Sequence, residues 1–240
     1  MSEAVRMWVE VAFNLAYLAT VWGLVVAMTR RRSQVAPADR RVARLFILAF
    51  ALLALGDTGH VGFRVLAYAL GGLEAVVTVL GVEVGLVGLG ALSTAVTVTL
   101  FYVVVLMIWR ARFDRRTGWF GVVLLAAAAV RLVVMAFPQN NWNNTVPPQP
   151  WSIYRNVPLI VQGLGVAYLI LRDALRQEDR AFVWVGVLIL VSYAFYLPVI
   201  LLVQRVPWVG MLMIPKTMAY VGIAVVAYVD LFRWRESSGS

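Results

Sequence analysis

The sequence predicts an all-α fold: one membrane domain, residues 1–240, built as a bundle of seven transmembrane helices with the N-terminus outside and the C-terminus in the cytoplasm. Three observations carry this. First, 62% of the 240 residues are hydrophobic and the mean hydropathy is +0.84, whereas soluble domains hold about 45–50% apolar residues. Second, long apolar stretches recur along the whole chain with short charged segments between them, which is the pattern of membrane spans and not of one water-facing core. Third, the basic residues are lopsided. Fifteen arginines fall in the loops after the first, third and fifth spans and in the C-terminal tail, against three (Arg6, Arg155 and Arg205) at the N-terminus and in the opposite loops. The arginine-rich side belongs in the cytoplasm, which makes the plasma (inner) membrane the expected location.

The spans read as residues 7–29, 44–67, 84–109, 119–137, 157–175, 182–203 and 208–232. The first ends at Arg30, Arg31 and Arg32; a basic cluster that follows the apolar run marks a span and not a secretory leader. The second carries Asp57, His60 and Arg64 interleaved with Gly56, Gly59 and Gly62. Residues 70–83 are apolar and glycine-flanked, and read as an outer loop, an interfacial helix or an extension of the third span. The third span opens with Gly85, Gly88 and Gly90, which are packing glycines, since no strand–helix unit makes them a nucleotide loop. Residues 138–156, PQNNWNNTVPPQPWSIYRN, form an outer loop rich in Asn, Pro and Trp. They read as an anchored turn or as a lid over an outward pocket. The formal sequon at Asn143, Asn144 and Thr145 is incidental.

The net charge of +9 and pI of about 10.5 do not point to nucleic acid, because the cations cluster at span ends, where they set topology and meet anionic lipid. The chain has no cysteine, which excludes disulfides, thiolate catalysis and cysteine-held metal centres. No appended soluble domain is expected, so any signal would need a partner protein.

Ionisable groups inside a bilayer are costly and mark function or pairing. At ~1.5 Å per residue, Asp57 and Arg131 lie ~20 and ~18 Å from the cytoplasmic edges of their spans, and Lys216 ~12 Å in from the outside. Asp57, His60 and Arg64 share one helix face. Gln162, Tyr193, Tyr196 and Asn14 fall at similar outer depths, with Glu10 and Glu83 near the rim. The cytoplasmic half is nearly all apolar. The expectation is a polar pocket in the outer half lined by Asp57, His60, Arg64, Glu83, Arg131, Gln162, Tyr193, Tyr196 and Lys216. The plainer alternative is a set of ion pairs, Asp57 with Lys216 or Arg131, that fixes helix register.

Lys216 is the only lysine beside twenty arginines. Lysine differs from arginine in its tunable pKa and its capacity to form a Schiff base. Pro215 before it is expected to kink the helix. His60 is the only histidine, and beside Asp57 it is a candidate acid/base group. One histidine with Asp57 and Glu83 is a poor metal set, and no metal is expected. The catalytic candidates are Asp57, His60 and Lys216.

Four stretches, GDTGH at 56–60, FPQNNW at 137–142, YRNVP at 154–158 and MIPKTMAY at 213–220, together resemble a group of bacterial seven-helix membrane proteins that carries no activity to transfer. The topology is also similar to that of rhodopsins, with Pro215, Lys216 and Thr217 as the local match. That resemblance implies retinal on Lys216 with Asp57 as counter-ion. The match is incomplete: the third span offers only Ser93, Thr94, Thr97 and Thr99, and Leu212 stands where rhodopsins place an Asp one turn before the lysine.

The leading expectation is therefore a receptor-like or sensory bundle that binds a small molecule or lipid. The alternatives are a membrane-embedded enzyme acting on a lipid or isoprenoid through His60 and Asp57, a retinal protein, and a transporter. A transporter site belongs near the midplane between repeats, and neither a repeat nor a cytoplasmic polar path is legible.

Overall fold

The structure, a computed structural model, describes residues 3–79, 81–144 and 148–233, with side chains at 3–10, 79, 82 and 207 outside the description. The side chain of Glu10 and residue Thr145 of the sequon thus lie outside the described residues. Seven helices dominate: α1 (Glu3–Arg31), α2 (Arg40–Ala69), α3 (Leu86–Arg112), α4 (Trp119–Met135), α5 (Trp151–Arg176), α6 (Arg180–Leu202) and α7 (Met213–Leu231). Six are long and apolar enough to cross a membrane, and α4, at 17 residues, is shorter. Large apolar side chains face outward, among them Trp119, Val133, Trp184 and Trp208. In water such a surface would be a liability, and in lipid it is the ordinary exterior. The chain is a multi-pass helical membrane protein.

The helices close a ring: each packs on its neighbour in sequence, and α1 also meets α7. Within the ring α3 contacts α5. Helix α4 shows why its residues face as they do. Gly121, Leu124, Ala128, Arg131 and Met135 are its buried residues, at the 3–4 spacing of one helical face. The closest approach is between α2 and α3. A β-carbon at Gly56 would run into the Thr97 hydroxyl, one at Gly59 would meet Ser93, and one at Gly90 would sit 3.0 Å from the backbone of His60. Small residues let helix backbones approach in lipid, and here they fix the depth and rotation of α2.

The core of the arginine-rich half is aromatic. Phe101 meets Phe50, Tyr102 and Tyr220 edge-on at ring separations of 5.9, 5.2 and 5.5 Å. Phe182 meets Phe46 and Phe113 at 5.9 and 5.4 Å. Such pairs each add about 0.5–1.5 kcal/mol beyond burial. The expectation of an apolar half needs one correction, because its end is closed by an ionic layer. Arg112 on α3 reaches Asp39 before α2 at 2.9 Å, Asp179 at the α6 N-cap at 2.8 Å and Asp230 on α7 at 3.6 Å. Fully buried Asp173 on α5 accepts from the Trp109 indole at 2.9 Å and pairs with Arg115 and Arg172 at 3.2 and 2.8 Å.

Three boundaries differ from the sequence reading. Two strands, β1 (Val76–Val79) and β2 (Val82–Gly85), pair antiparallel here in place of a helix. The β-branched run favours strands, and Gly71 and Gly72, at φ +113° and +139°, let the chain leave α2 in a conformation that suits only glycine. Helix α5 begins at Trp151, so Arg155 and Asn156 are helical and not loop. Helix α7 begins at Met213 after a 3-10 turn (Pro207–Leu212). Pro215 therefore sits in its first turn, where its missing N–H costs nothing and no kink follows.

Gly90→Ala should lower stability by about 1–3 kcal/mol, read from thermal unfolding in detergent. Gly62→Ala, whose added carbon meets nothing within 4 Å, should leave stability unchanged or raise it.

Candidate functional site

A cavity of about 480 Å³ opens in the arginine-poor half, and every one of the seven helices contributes to its wall. On α1, the stripe Tyr17, Val21, Val25 and Met28 is buried, and Tyr17 ends it at the cavity. On α2, the shared face of Asp57, His60 and Arg64 is turned into the cavity. The Tyr17 hydroxyl donates to Asp57 Oδ2 at 2.6 Å. His60 lies beside Gly90, and its buried Nδ1 has no hydrogen-bond partner. No hydrogen bond joins His60 to Asp57, so the expected acid/base pair is not assembled.

Arg131 enters from α4 and is 2% exposed. Its Nε donates to the Arg155 carbonyl at 3.0 Å and an Nη1 proton goes to the Thr99 hydroxyl at 2.9 Å. Both acceptors are neutral. Lys216 enters from α7, its Nζ lying 4.5 Å from the centre of the Tyr196 ring and 5.6 Å from that of Tyr220. Cation–π contact is weak support for a desolvated ammonium, and no carboxylate lies within 4 Å of it among the described residues. The expected ion pairs of Asp57 with Lys216 or Arg131 are therefore not formed. The same gap bears on a rhodopsin-like centre. An imine on Lys216 needs a counter-ion, and Asp57, which takes a hydrogen bond from Tyr17, stands more than 4 Å from the Lys216 amine.

Tyr193 and Tyr196 line the cavity from α6. Tyr193 donates to the Leu159 carbonyl at 2.7 Å and Tyr196 to Asn156 Oδ1 at 3.0 Å. Beneath them Tyr102 and Tyr220 share a 2.8 Å hydrogen bond and form the floor. Asn14 also lines the cavity. Two expected residues do not. Glu83 is exposed on β2, because the hairpin carries it away from the helix ends. Gln162 is buried behind the wall, its Nε2 donating to the Thr99 carbonyl at 3.2 Å. It supports the residue that holds Arg131.

Sequence reasoning missed Arg155, Tyr17, Asn156 and Trp142. Arg155 and Asn156 belong to the buried face of α5 with Ser152, Leu159 and Gln162, a helical spacing that Pro158 and the Asn–Pro run before it disguise. Trp142 comes from the loop between α4 and α5, where Asn140, Trp142 and Asn143 are each fixed by side-chain hydrogen bonds. The Asn140 amide donates to the carbonyls of Val134 and Phe137 at 2.6 and 3.0 Å, capping α4. Asn141 takes a left-handed turn at φ +42°. The Trp142 indole donates to the Met135 carbonyl at 3.0 Å. Asn143 accepts from the Gly85 N–H at 2.8 Å and donates to the Glu83 carbonyl at 3.2 Å, tying the loop to the hairpin. The loop thus holds the Trp142 ring 4.3 Å from the Arg155 guanidinium.

Among the described residues the lining holds four cations (Arg64, Arg131, Arg155 and Lys216) against one carboxylate, Asp57. No group of three or more His, Asp or Glu side chains placed to hold a metal ion occurs among them. In comparisons with known proteins the chain matches no family model, no curated protein and no solved structure.

Thr99→Val keeps the shape and removes an acceptor of Arg131. It should lower stability by about 1–3 kcal/mol, measured by denaturant unfolding in detergent. Unchanged stability would show that the buried guanidinium does not depend on that bond.

Proposed function

We propose that the chain is a seven-span, receptor-like protein of the plasma membrane that binds a small amphipathic molecule or lipid in this cavity from the outer side. The reading of α4 as the seventh crossing rests on length: 17 residues reach ~26 Å, close to the ~30 Å hydrocarbon core. The arginine asymmetry supports N-out, C-in and puts the cavity in the outer half.

One observation carries the binding reading. A cavity of about 480 Å³, within the usual ~300–1,000 Å³ of ligand pockets, combines an apolar wall (Leu53, Val98, Leu159, Ile214) with Arg131, Arg155 and Lys216, none of which makes a contact ion pair with a carboxylate among the described residues. A purely structural cluster would pair its charges. An enzymatic reading lacks a joined donor–acceptor pair, since His60 and Asp57 make no hydrogen bond. A transport reading lacks a path, since the Tyr102–Tyr220 floor gives way to the aromatic core. Transmission of a signal calls for a partner protein at the arginine-rich end, where Arg112 joins three elements.

Ala95 lines the cavity from α3 and makes none of its polar bonds through its side chain. In native mass spectrometry of protein released from membranes, the wild type should carry a bound small-molecule mass that Ala95→Phe loses while staying folded. Equal adducts on both proteins would place the bound molecules elsewhere and reject this cavity as the site.

A further inference from the structure

We propose that the cavity receives the head of a doubly charged anionic amphipath, of the phosphate-monoester kind, between Arg131, Arg155 and Lys216. The inference rests on the cavity being a ligand site and names the chemistry it selects.

The three cations come from α4, α5 and α7 and line one space. Each is held in place by something other than an acid. Arg131 is fixed by a carbonyl and a hydroxyl, which occupy two of its five N–H donors. Arg155 is only 8% exposed, yet its guanidinium has no hydrogen-bond acceptor among the described residues and rests on the Trp142 ring. Lys216 has the rings of Tyr196 and Tyr220 against its ammonium, and Asp57 acts on it only across more than 4 Å. Buried charges without counter-charge are destabilising by several kcal/mol. At the opposite end of the same molecule Arg112, Arg115 and Arg172 each pair with an aspartate.

Charge counting then narrows the ligand. Setting Arg64 aside, three cations against Asp57, the one carboxylate of the lining among the described residues, leave a surplus of two positive charges when all four are ionised. A neutral or singly charged head leaves part of that surplus uncompensated in a low dielectric. A phosphate monoester carries about −1.5 to −2 charges at neutral pH and three strong acceptor oxygens. Guanidinium forks match such oxygens in bidentate fashion, and an ammonium serves as a point charge. Beyond the head, Leu53, Val98 and Leu159 offer an apolar wall. Met211 and Met213, 42% and 37% exposed, line the rim, and flexible thioethers suit an alkyl chain of unspecified shape. The phosphate can come from a soluble monoester or from the head of a phosphatidate lipid.

Calorimetry in phosphatidylcholine nanodiscs tests this with hexyl phosphate, hexyl sulfate and hexanol at about pH 8. Hexyl phosphate should bind at least about tenfold more tightly than hexyl sulfate. Arg155→Gln and Lys216→Met should each erase most of that preference, while Arg205→Gln, at an exposed position away from the cavity, should keep it. Phosphatidate in the disc that weakens hexyl phosphate binding, where phosphatidylglycerol does not, assigns the head to a membrane lipid. Indifference to both, with the preference intact, assigns it to a soluble monoester. Equal affinity for phosphate, sulfate and hexanol overturns the headgroup assignment and leaves the cavity a ligand site. No binding of any of the three overturns both.

Discussion

The contact between α2 and α3 has no room for a β-carbon at Gly56, Gly59 or Gly90, and the position of the cavity follows from it. With the two backbones this close, α2 cannot rotate without colliding with Thr97, Ser93 or its own His60 against Gly90. That fixes the face bearing Asp57, His60 and Arg64 toward the interior. It also holds α3 so that Thr99 meets Arg131, and so that the Gly88 backbone lies against Trp142, whose carbonyl would be struck by any side chain there. One tight seam therefore sets three parts of the wall at once.

The two ends of the bundle use the same residue types to opposite effect. At the arginine-rich end Asp39, Asp173, Asp179 and Asp230 each face an arginine, and the layer joins α3, α5, α6 and α7. Breaking such a network leaves a charge unpaired, so it holds helix ends together. At the other end, among the described residues, the lining holds one carboxylate, and the contacts of Arg131, Arg155 and Lys216 are a carbonyl, a hydroxyl and aromatic rings. In a bilayer polar groups must find partners within the protein or in a bound molecule. The unmatched charge is the part of the structure that asks for one.

Much of this was legible from the sequence, and the failures have physical causes. Continuous apolar runs mark long helices irrespective of tertiary context, so the six longest appear where hydropathy puts them. Asp57, His60 and Arg64 share a face by helical spacing alone. The hairpin was hidden because a valine-rich strand pair has the same hydropathy as a membrane segment, and only its β-branched run tells them apart. Arg155 was hidden because Pro158 lies inside α5 and imitates a loop boundary. Glu83 and Gln162 had suitable depth but not suitable direction: one sits on a strand that leaves the bundle, the other behind Thr99. The contact of Tyr17 with Asp57 joins residues forty positions apart, and no local pattern announces it.

The central claim is that the cavity exists to hold a molecule and not to be closed by its own charges. The direct measurement is an experimental density map of the wild-type protein in lipid nanodiscs, at a resolution that shows side chains. The account predicts elongated non-protein density with its head against Arg131, Arg155 and Lys216 and its tail toward Met211 and Met213. A collapsed pocket in which Lys216 pairs directly with Asp57, with no such density, would contradict it.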